Sequence, residues 1–276
     1  MKNSQTILSS LAERFEDTSG LIEITNPTIS TMANRGSCRK FLAQQVDGEL
    51  LTTLCAVALG SPTKSDLQQR DIIILQDDKQ KKRITQLFAH DSWIAEAPQL
   101  LIFCGNNRRQ RQISEWRNKP FVNDHLDAFF NASVDAAIAL SAFVIAAESV
   151  GLGCCPISAI RNYAGTVSDI LELPDHVFPV AGLALGWPQE ASKISMRLPL
   201  SVTVHRNTFS QGDTQRQVDQ YDQQRARHQP YEHQRYPDQF ESVERYGWSE
   251  DKARQYARPE RRDFGEFIRR KGFNLE

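Results

Sequence analysis

The apolar positions between residues 5 and 186 alternate between helical and strand-like spacing. Positions 7, 8, 11 and 15 repeat at helical intervals, whereas the run DIIIL at 71–75 has the short, β-branched character of a strand. This pattern predicts helices over 5–15, 49–59, 79–88, 124–150 and 163–171, and strands over 71–75, 99–104, 154–157 and 177–186. Because the strands are few and the helices long, the pattern favours an α+β fold with helices on both faces of one sheet.

The longest predicted helix, 124–150, carries the clearest burial signal. It is rich in alanine, and from Ala136 to Ala147 it is apolar on nearly every side. A helix without a polar face belongs inside a protein, so we expect this one at the centre of the core. Gly151 follows directly and predicts the end of the helix.

The pattern changes after Leu200. Residues 211–239 are dense in Gln, Arg, Asp and Tyr and nearly lack aliphatic side chains, a composition typical of disorder. Against this, sparse aromatic residues provide anchors, and Phe264, Phe267 and Ile268 predict a helix within 263–273. Two interpretations follow, an extended arm lying on another surface and a free tail. An arm with so few apolar residues does not fold alone, so its natural support is a second subunit.

Composition bounds the class of protein. The chain has 276 residues, 40% of them hydrophobic, and a formal net charge of -1, so nothing global indicates nucleic acid or an anionic membrane as a partner. No segment reaches the roughly 18 uncharged apolar residues of a spanning helix, and the N-terminus lacks the pattern of a secretory signal. Five cysteines, an odd number without framework or metal spacing, indicate reduced thiols and a cytoplasmic location.

The first candidate for chemistry is the segment RGSCRKF at 35–41. Arg35, Ser37 and Arg39 can supply guanidinium donors and a hydroxyl to one phosphate, and the alternative is a solvated surface pair of arginines. No GxSxG motif, metal-ligand spacing or GxGxxG fingerprint accompanies it, so the sequence predicts neither a hydrolytic site, nor a metal centre, nor a Rossmann-type nucleotide site.

Three further segments follow in a fixed order: SPTKSDLQ (61–68), GLGCCPI (151–157), and LALGWP (183–188) with MRLP (196–199). As a set, over about residues 30–210, they resemble the FMN-dependent nitroreductase family, nearest to its NADPH nitroreductase and flavin reductase subgroup. The resemblance implies an α+β three-layer fold with a central, mostly antiparallel sheet. It also implies an obligate homodimer, with an FMN-binding domain at 1–205 and an extended C-terminal arm at 206–276 that packs on the partner subunit.

The resemblance assigns the cofactor-binding residues by position. The first motif and MRLP would hold the phosphate and ribityl chain, the second motif would approach the flavin ring with some contacts made across the dimer interface, and the third would lie under the flavin face and N5 edge. The implied FMN-binding residues are Arg35, Gly36, Ser37, Arg39, Thr63, Lys64, Ser65, Asp66, Asp91, Cys155, Pro156, Ile157, Ser158 and Arg197. The contact of Cys155 is expected to be packing against the ring, not nucleophilic attack.

Several positions depart from the family pattern. Gly36 stands where the subgroup usually has Arg, Ser195 where a Lys is frequent, Asp66 where many relatives have Asn, and Asp91 near a usual Gln or Asn. Lys64 allows two interpretations. It is either a cation that stabilises negative charge at the N1/O2 edge of the ring or an ordinary surface lysine.

By resemblance, the chain is an FMN-dependent NAD(P)H oxidoreductase. Hydride would pass through flavin N5 to nitroaromatic, quinone or flavin acceptors in ping-pong fashion, without a catalytic side chain. Arg225, Arg227 and Arg235 are candidates for selecting NADPH. The departures keep a second hypothesis open, a flavin-sequestering protein with little turnover. A nucleic-acid module is a third, opposed by the balanced charges of the arm. The sequence leaves open the physiological acceptor and the preference for NADPH or NADH.

Overall fold

The computed structural model describes residues 6–276 and builds its central sheet from four strands. These are β1 (Arg70–Ile74), β2 (Gln99–Asn106), β3 (Gly153–Ile157) and β4 (Val177–Gly186). Their order is β1-β2-β4-β3, and each neighbouring pair is antiparallel. The prediction of a mostly antiparallel sheet is therefore confirmed.

Helices account for most of the remaining regular structure of residues 6–276. In chain order they are α1 (Ile7–Phe15), α2 (Pro27–Ala33), α3 (Gly48–Leu59), α4 (Asp78–Thr85), α5 (Ser92–Glu96), α6 (Arg108–Trp116), α7 (Leu126–Ser149), α8 (Ala164–Ile170), α9 (Leu200–Thr203), α10 (Thr214–His228), α11 (Trp248–Tyr256) and α12 (Phe264–Arg270). Short 3₁₀ helices lie at Lys64–Asp66, Gln86–Phe88 and Ser158–Tyr163. The helix predicted from residue 5 begins at Ile7, and Gln5 itself lies outside the described residues.

The chain divides into two units. Unit 1 contains the described residues up to Gly36 together with Lys193–Glu260, and unit 2 contains Ser37–Ser192 with Arg261–Glu276. The sheet and helices α3 to α8 belong to unit 2, along with α12.

The layers of unit 2 follow from alternation along β2, which is buried along its whole length. Leu101 and Phe103 pack with α3 and α7, whereas Leu100, Ile102 and Cys104 pack with residues of α4, α5 and α8. A strand that is apolar on both sides requires a cover on both faces. The three-layer α+β prediction is confirmed by this arrangement.

Helix α7 is the centre of one of these layers. Ala139, Phe143 and Ala147 are fully buried, and the ring of Phe143 meets Phe103 edge-on at 5.8 Å. Helix α7 is long and apolar enough to span a membrane by length and composition alone, but this face packs on the sheet. The structure differs from the expectation of all-round burial between Ala136 and Ala147, because Ala137 and Ser141 are exposed.

The C-terminal region is helical where an extended arm was predicted. Helices α10 and α11 lie in unit 1, and their core is polar and aromatic. Arg254, only 3% exposed, lies between the rings of Phe240 and Tyr246, and buried Asp251 binds Arg235 and Tyr246. Buried ion pairs and cation–π contacts replace the missing aliphatic core, which explains why composition alone indicated disorder.

Residues 261–276 pack on the core of their own chain. Phe267, Ile268 and Phe273 form a buried cluster with Ala132 and Phe178 of unit 2. The domain boundary at 205/206 and the packing of the arm on a partner subunit stay predictions.

The docking of this last segment is expected to depend on pH through His176. The ring contacts Phe273, and Nε2 lies 2.9 Å from the carbonyl oxygen of Gly272. Burial, and then the charge of Arg111, lower the pKa of His176, with Asp175 and Asp124 opposing. The unfolded chain therefore binds a proton first as the pH falls. The contribution of neutral His176 to the free energy of unfolding is therefore complete above the unfolded pKa of about 6.5 and declines below it.

The wild-type protein is expected to lose unfolding free energy between about pH 7.5 and about pH 5, and we predict that this loss is smaller in His176→Gln. Urea denaturation at both pH values measures it, with His228→Gln, an exposed histidine, as the control. Equal pH dependence in wild type and His176→Gln would contradict the assignment.

Candidate functional site

The loop between α3 and β1, residues 61–69, has an unusual backbone. Ser65, Asp66 and Gln68 all have positive φ, at 48°, 56° and 53°. Each such residue costs of order 1–3 kcal/mol unless its surroundings hold it in place. The loop therefore requires strong external contacts, and three neighbouring elements supply them.

Asp135 of α7 holds the loop from inside. Its carboxylate is fully buried, and its two oxygens accept hydrogen bonds from the backbone N–H groups of Lys64 (3.0 Å) and Gln69 (2.9 Å). A buried carboxylate is tolerated where such donors replace its hydration. One side chain thus fixes both ends of the strained segment.

The loop carbonyls are held by β1 and α6. Arg70, 4% exposed, donates to the carbonyl oxygens of Leu59, Ser61 and Pro62, the shortest of these bonds being 2.6 Å. Arg109 donates to the carbonyl of Gln68 at 2.7 Å, and Gln110 donates to that of Leu67. Asp135, Arg70, Arg109 and Gln110 escaped the sequence analysis, although a charge inside the apolar run ASVDAAIAL was a visible signal for Asp135.

With its backbone fixed, the loop exposes Lys64, Ser65 and Asp66. Lys64 Nζ lies 3.1 Å from Ser65 Oγ, and Asp66 Oδ1 accepts from the side-chain amide of Gln68 at 3.1 Å. Thr63 Oγ1 accepts from the backbone N–H of Gln68. A cavity of about 330 Å³ beside the loop is lined by Asp66, Gln68 and Arg109, among others. These predicted residues form one preorganised polar surface.

The first, third and fourth sequence motifs meet in unit 2. The backbone N–H of Cys38 donates to the carbonyl of Cys154 at 2.9 Å, and Phe41 forms an isolated β-bridge with Pro188. The contact is so close that a Cβ on Gly153 would lie 2.6 Å from Cys38 Sγ. Segments far apart in sequence therefore lie side by side at β3.

The third motif exposes alternate residues. Pro156 and Ser158 are exposed, whereas Cys155 and Ile157 belong to the buried cluster on one face of the sheet. The side chain of Cys155, 3% exposed, differs from its expected packing against a ring, because it fills the core. Any ligand contact from Cys155 or Ile157 comes from the backbone.

Arg39 and Asp91 both contact one indole ring, that of Trp93. The Arg39 guanidinium lies 5.5 Å from the ring centroid of Trp93, and Trp93 Nε1 donates to Asp91 Oδ1 at 3.4 Å. Arg39 is exposed, and its guanidinium group is oriented by the aromatic ring of Trp93. Both predicted residues thus belong to one surface of unit 2.

Unit 1 holds the other predicted arginines and an additional one. Arg14 of α1 donates to the carbonyl of Arg35 at 2.8 Å, and the N–H of Arg197 donates to the carbonyl of Arg14 at 2.7 Å. Burial lowers the pKa of Arg14, and the charges of Arg197 and Arg35 lower it further, with Glu13 opposing. Three guanidinium groups close enough to repel one another fit an anionic ligand such as a phosphate.

Within residues 6–276 no group of three or more His, Cys, Asp or Glu side chains is arranged to hold a metal ion. No disulfide joins the five cysteines, all of which lie in this part of the chain.

Comparison with known proteins identifies the fold. Residues 32–187 match the model of the nitroreductase family, and residues 195–276 match the model of its C-terminal domain. The chain belongs to the nitroreductase family. The nitroreductase resemblance inferred from the motifs is thereby confirmed. Both family models leave out α1, which precedes residue 32.

Similar proteins extend over nearly the whole nitroreductase chain. It is 31% identical to a Bacillus subtilis protein named FMN reductase [NAD(P)H], over 91% of this chain and 99% of the relative. The structure of B. megaterium NfrA2 superimposes with a TM-score of 0.82 and 30% identity, covering 91% of this chain and all of that one. The NADPH:FMN oxidoreductase of Vibrio harveyi in complex with NAD+ gives 0.77 and 26%, covering 90% and 98%.

The role of Asp135 in this nitroreductase can be measured directly. Asp135→Ala removes the acceptor of two backbone N–H groups, and we predict a loss of about 3 kcal/mol in unfolding free energy. Hydrogen exchange at the Lys64 and Gln69 amides is expected to accelerate. Asp127→Ala, an exposed carboxylate on the same helix, is the control and is expected to cost less than about 1 kcal/mol. Unchanged protection of both amides in Asp135→Ala would show that the loop is held by other contacts.

Proposed function

We propose that this chain is an FMN-dependent NAD(P)H oxidoreductase that reduces nitroaromatic, quinone or flavin acceptors by ping-pong hydride transfer. The observation that carries the proposal is the near full-length similarity to a relative named FMN reductase [NAD(P)H]. The meeting of three sequence motifs at β3 supports it, because these are the motifs from which FMN binding was inferred. Bound FMN would supply the redox chemistry, accepting hydride at N5 from NAD(P)H and passing it to the acceptor.

The phosphate and ribityl chain are assigned to the arginine-bearing motifs. Arg35, Ser37, Arg39 and Arg197 are the donors, with the backbone of Gly36 between the first two. Guanidinium groups form paired, charge-assisted hydrogen bonds to phosphate, and several are needed to hold a dianion without covalent attachment. Burial, and then the charges of Arg197 and Arg35, lower the pKa of Arg14, and a negatively charged ligand near these arginines would oppose that shift.

The flavin ring is assigned to the loop and to β3. Lys64 contributes a positive charge that favours electron density at the N1/O2 edge, while Thr63, Ser65 and Asp66 provide hydrogen-bonding groups. Pro156 and Ser158 would contact the ring directly, Cys155 and Ile157 would contribute backbone groups, and Asp91 would lie at the pyrimidine edge. Hydrogen bonds with Asp135, Arg70 and Arg109 hold the loop backbone, and a loop held in this way would need little reorganisation of its dipoles during transfer.

The chain's own part in the reaction is binding and electrostatics. No side chain is required as acid or base, because hydride transfer takes place between two ring systems. Arg225 and Arg235 are poor candidates for selecting NADPH, because Arg225 bonds Tyr221 and lies over Tyr231 while Arg235 pairs with Asp251. Exposed Arg227 is the better candidate.

We propose a homodimer as the working form. Leu126, Phe130 and Val134 leave an apolar stripe exposed along α7, with 37–58% of each side chain accessible, and Val57 and Leu59 do the same on α3. Large apolar side chains grouped at the surface of one chain are typical of subunit interfaces. A cytoplasmic location is consistent with five cysteines that form no disulfide.

A flavin-sequestering protein of the same fold is the alternative, motivated by Gly36, Asp91 and Ser195. The names of the relatives do not favour it, since they are reductases. An anaerobic titration separates the two. We predict that purified protein shows flavin absorbance, is bleached by NADPH or NADH, and recovers its colour when a quinone is added. A yellow protein that neither coenzyme bleaches would establish the sequestering alternative.

The phosphate assignment makes a quantitative prediction. Arg39→Ala and Arg197→Ala each remove charge-assisted hydrogen bonds and are expected to weaken FMN binding about 10- to 100-fold. Quenching of flavin fluorescence measures the affinity, with exposed Arg83→Ala as the control. Full FMN affinity in both variants would rule out phosphate binding by these two arginines.

A further inference from the structure

Helix α1 lies outside both family models, yet it reaches the segments to which phosphate binding is assigned. We propose that Arg14 of this helix is a positioning residue for a phosphate-monoester site in unit 1, setting the backbone that carries Arg35 and Arg197. The inference rests on the proposed function for the identity of the ligand, FMN, but the anion preference of the site is testable without it.

One guanidinium group connects the two arginine-bearing segments. Arg14 Nη2 donates to the carbonyl oxygens of Ala33 (3.1 Å) and Arg35 (2.8 Å), and Nη1 donates to that of Ser195 (3.1 Å). The carbonyl of Arg14 itself accepts from the N–H of Arg197. The guanidinium group and the backbone carbonyl of Arg14 therefore both hold backbone at or next to Arg35 and Arg197, the residues proposed to bind the phosphate.

The helix that carries Arg14 is itself held in place. Fully buried Ser10, one turn earlier on the same face, donates to Asn34 Oδ1 at 2.7 Å. At its start, Glu23 accepts from the N–H groups of Ile7 and Leu8, and Thr6 caps the helix. These contacts position the guanidinium before any ligand arrives.

The charge of Arg14 points to an anion nearby. Arg14 is only 8% exposed, and among residues 6–276 its three hydrogen bonds go to neutral carbonyls and none to a carboxylate. Burial lowers the pKa of Arg14, the charges of Arg197 and Arg35 lower it further, and Glu13 opposes them. A buried cation among cations is costly, and a dianionic ligand at Arg35 and Arg197 reduces that cost.

Two effects on binding follow. Arg14 preorganises the Arg35 and Arg197 backbones, and it adds a charge that acts on the phosphate through a poorly solvated environment. Both effects act on the phosphate and neither acts on the ring system. Arg14 should therefore contribute to binding of FMN and leave binding of riboflavin, which has the same ring without phosphate, nearly unchanged.

The test uses full-length protein freed of flavin and compares wild type with Arg14→Gln and Arg14→Lys. The first removes the charge, and the second keeps it but cannot make the three-way hydrogen-bonded fork. Arg254→Gln is the matched control, because Arg254 is also a buried arginine of unit 1 and donates to the carbonyls of Arg235 and Glu241. FMN and riboflavin affinities are measured by fluorescence quenching, and the rise in Tm caused by inorganic phosphate is measured without flavin.

We expect Arg14→Gln to weaken FMN binding about 10- to 100-fold, with riboflavin changed less than about threefold, and Arg14→Lys to lie between it and wild type. Arg254→Gln is expected to lower Tm without changing the ratio of the two affinities. Equal weakening of FMN and riboflavin in the Arg14 variants, or no weakening of FMN, overturns the proposal. Should Arg14→Gln fail to fold, the same comparison is decided by Arg14→Lys.

The phosphate measurement separates this inference from the proposed function. If wild type binds neither flavin, the proposed function fails, but stabilisation by inorganic phosphate that is lost in Arg14→Gln still supports the site. If inorganic phosphate raises the Tm of wild type and Arg14→Gln equally, or does not raise that of wild type, the inference about Arg14 is overturned.

Discussion

The pairing of β2 with β4 is the constraint on which unit 2 depends. Both strands are buried, their side chains alternate between two hydrophobic clusters, and α3 with α7 must cover one face while α4, α5 and α8 cover the other. Strand β4 also pairs with β3, which carries the third motif. The register of this pairing determines which residues of the motif face the core and which are exposed. The position of every proposed ring contact on β3 is thus a consequence of core packing rather than of the local motif.

A second theme is the use of buried charges to shape backbone. Asp135 accepts from two loop amides, Arg70 donates to two loop carbonyls and to the last carbonyl of α3, and Arg14 donates to three carbonyls of unit 1. Each is costly to bury and is stabilised by peptide groups that have no partner in a helix or strand. Such side chains hold irregular segments in one conformation, which is the property a binding site requires before its ligand arrives.

This theme explains what the sequence could and could not predict. Apolar periodicity located α3, α7, α8 and the strands to within a few residues, because an element that buries one face has apolar residues at regular intervals. It missed α6, α10 and α11, whose stability comes from arginine pairs and aromatic contacts that have no period. The motifs predicted which segments converge at β3, but not that Cys155 points into the core, since alternation there depends on a register that only pairing with β4 sets. The roles of Arg14 and Asp135 were not predicted, because their partners are backbone atoms of distant residues. The charge of Asp135 inside an apolar run was a visible signal, but it did not identify those partners.

The departures from the family pattern acquire a physical interpretation from Arg14. Gly36 and Ser195 are the two positions of the arginine-bearing segments at which the resemblance leads us to expect a cation, with Lys193 two residues before Ser195 as a substitute. The Arg14 guanidinium bonds the carbonyl next to Gly36 and the carbonyl of Ser195 itself. Helix α1, which precedes the residues matched by the family model, therefore places a positive charge beside both positions. Since a phosphate responds to total positive charge and donor placement rather than to the origin of the side chain, the missing residues do not by themselves argue for a weak site. Gly36 and Ser195 are therefore weaker support for the flavin-sequestering alternative than the sequence alone indicated.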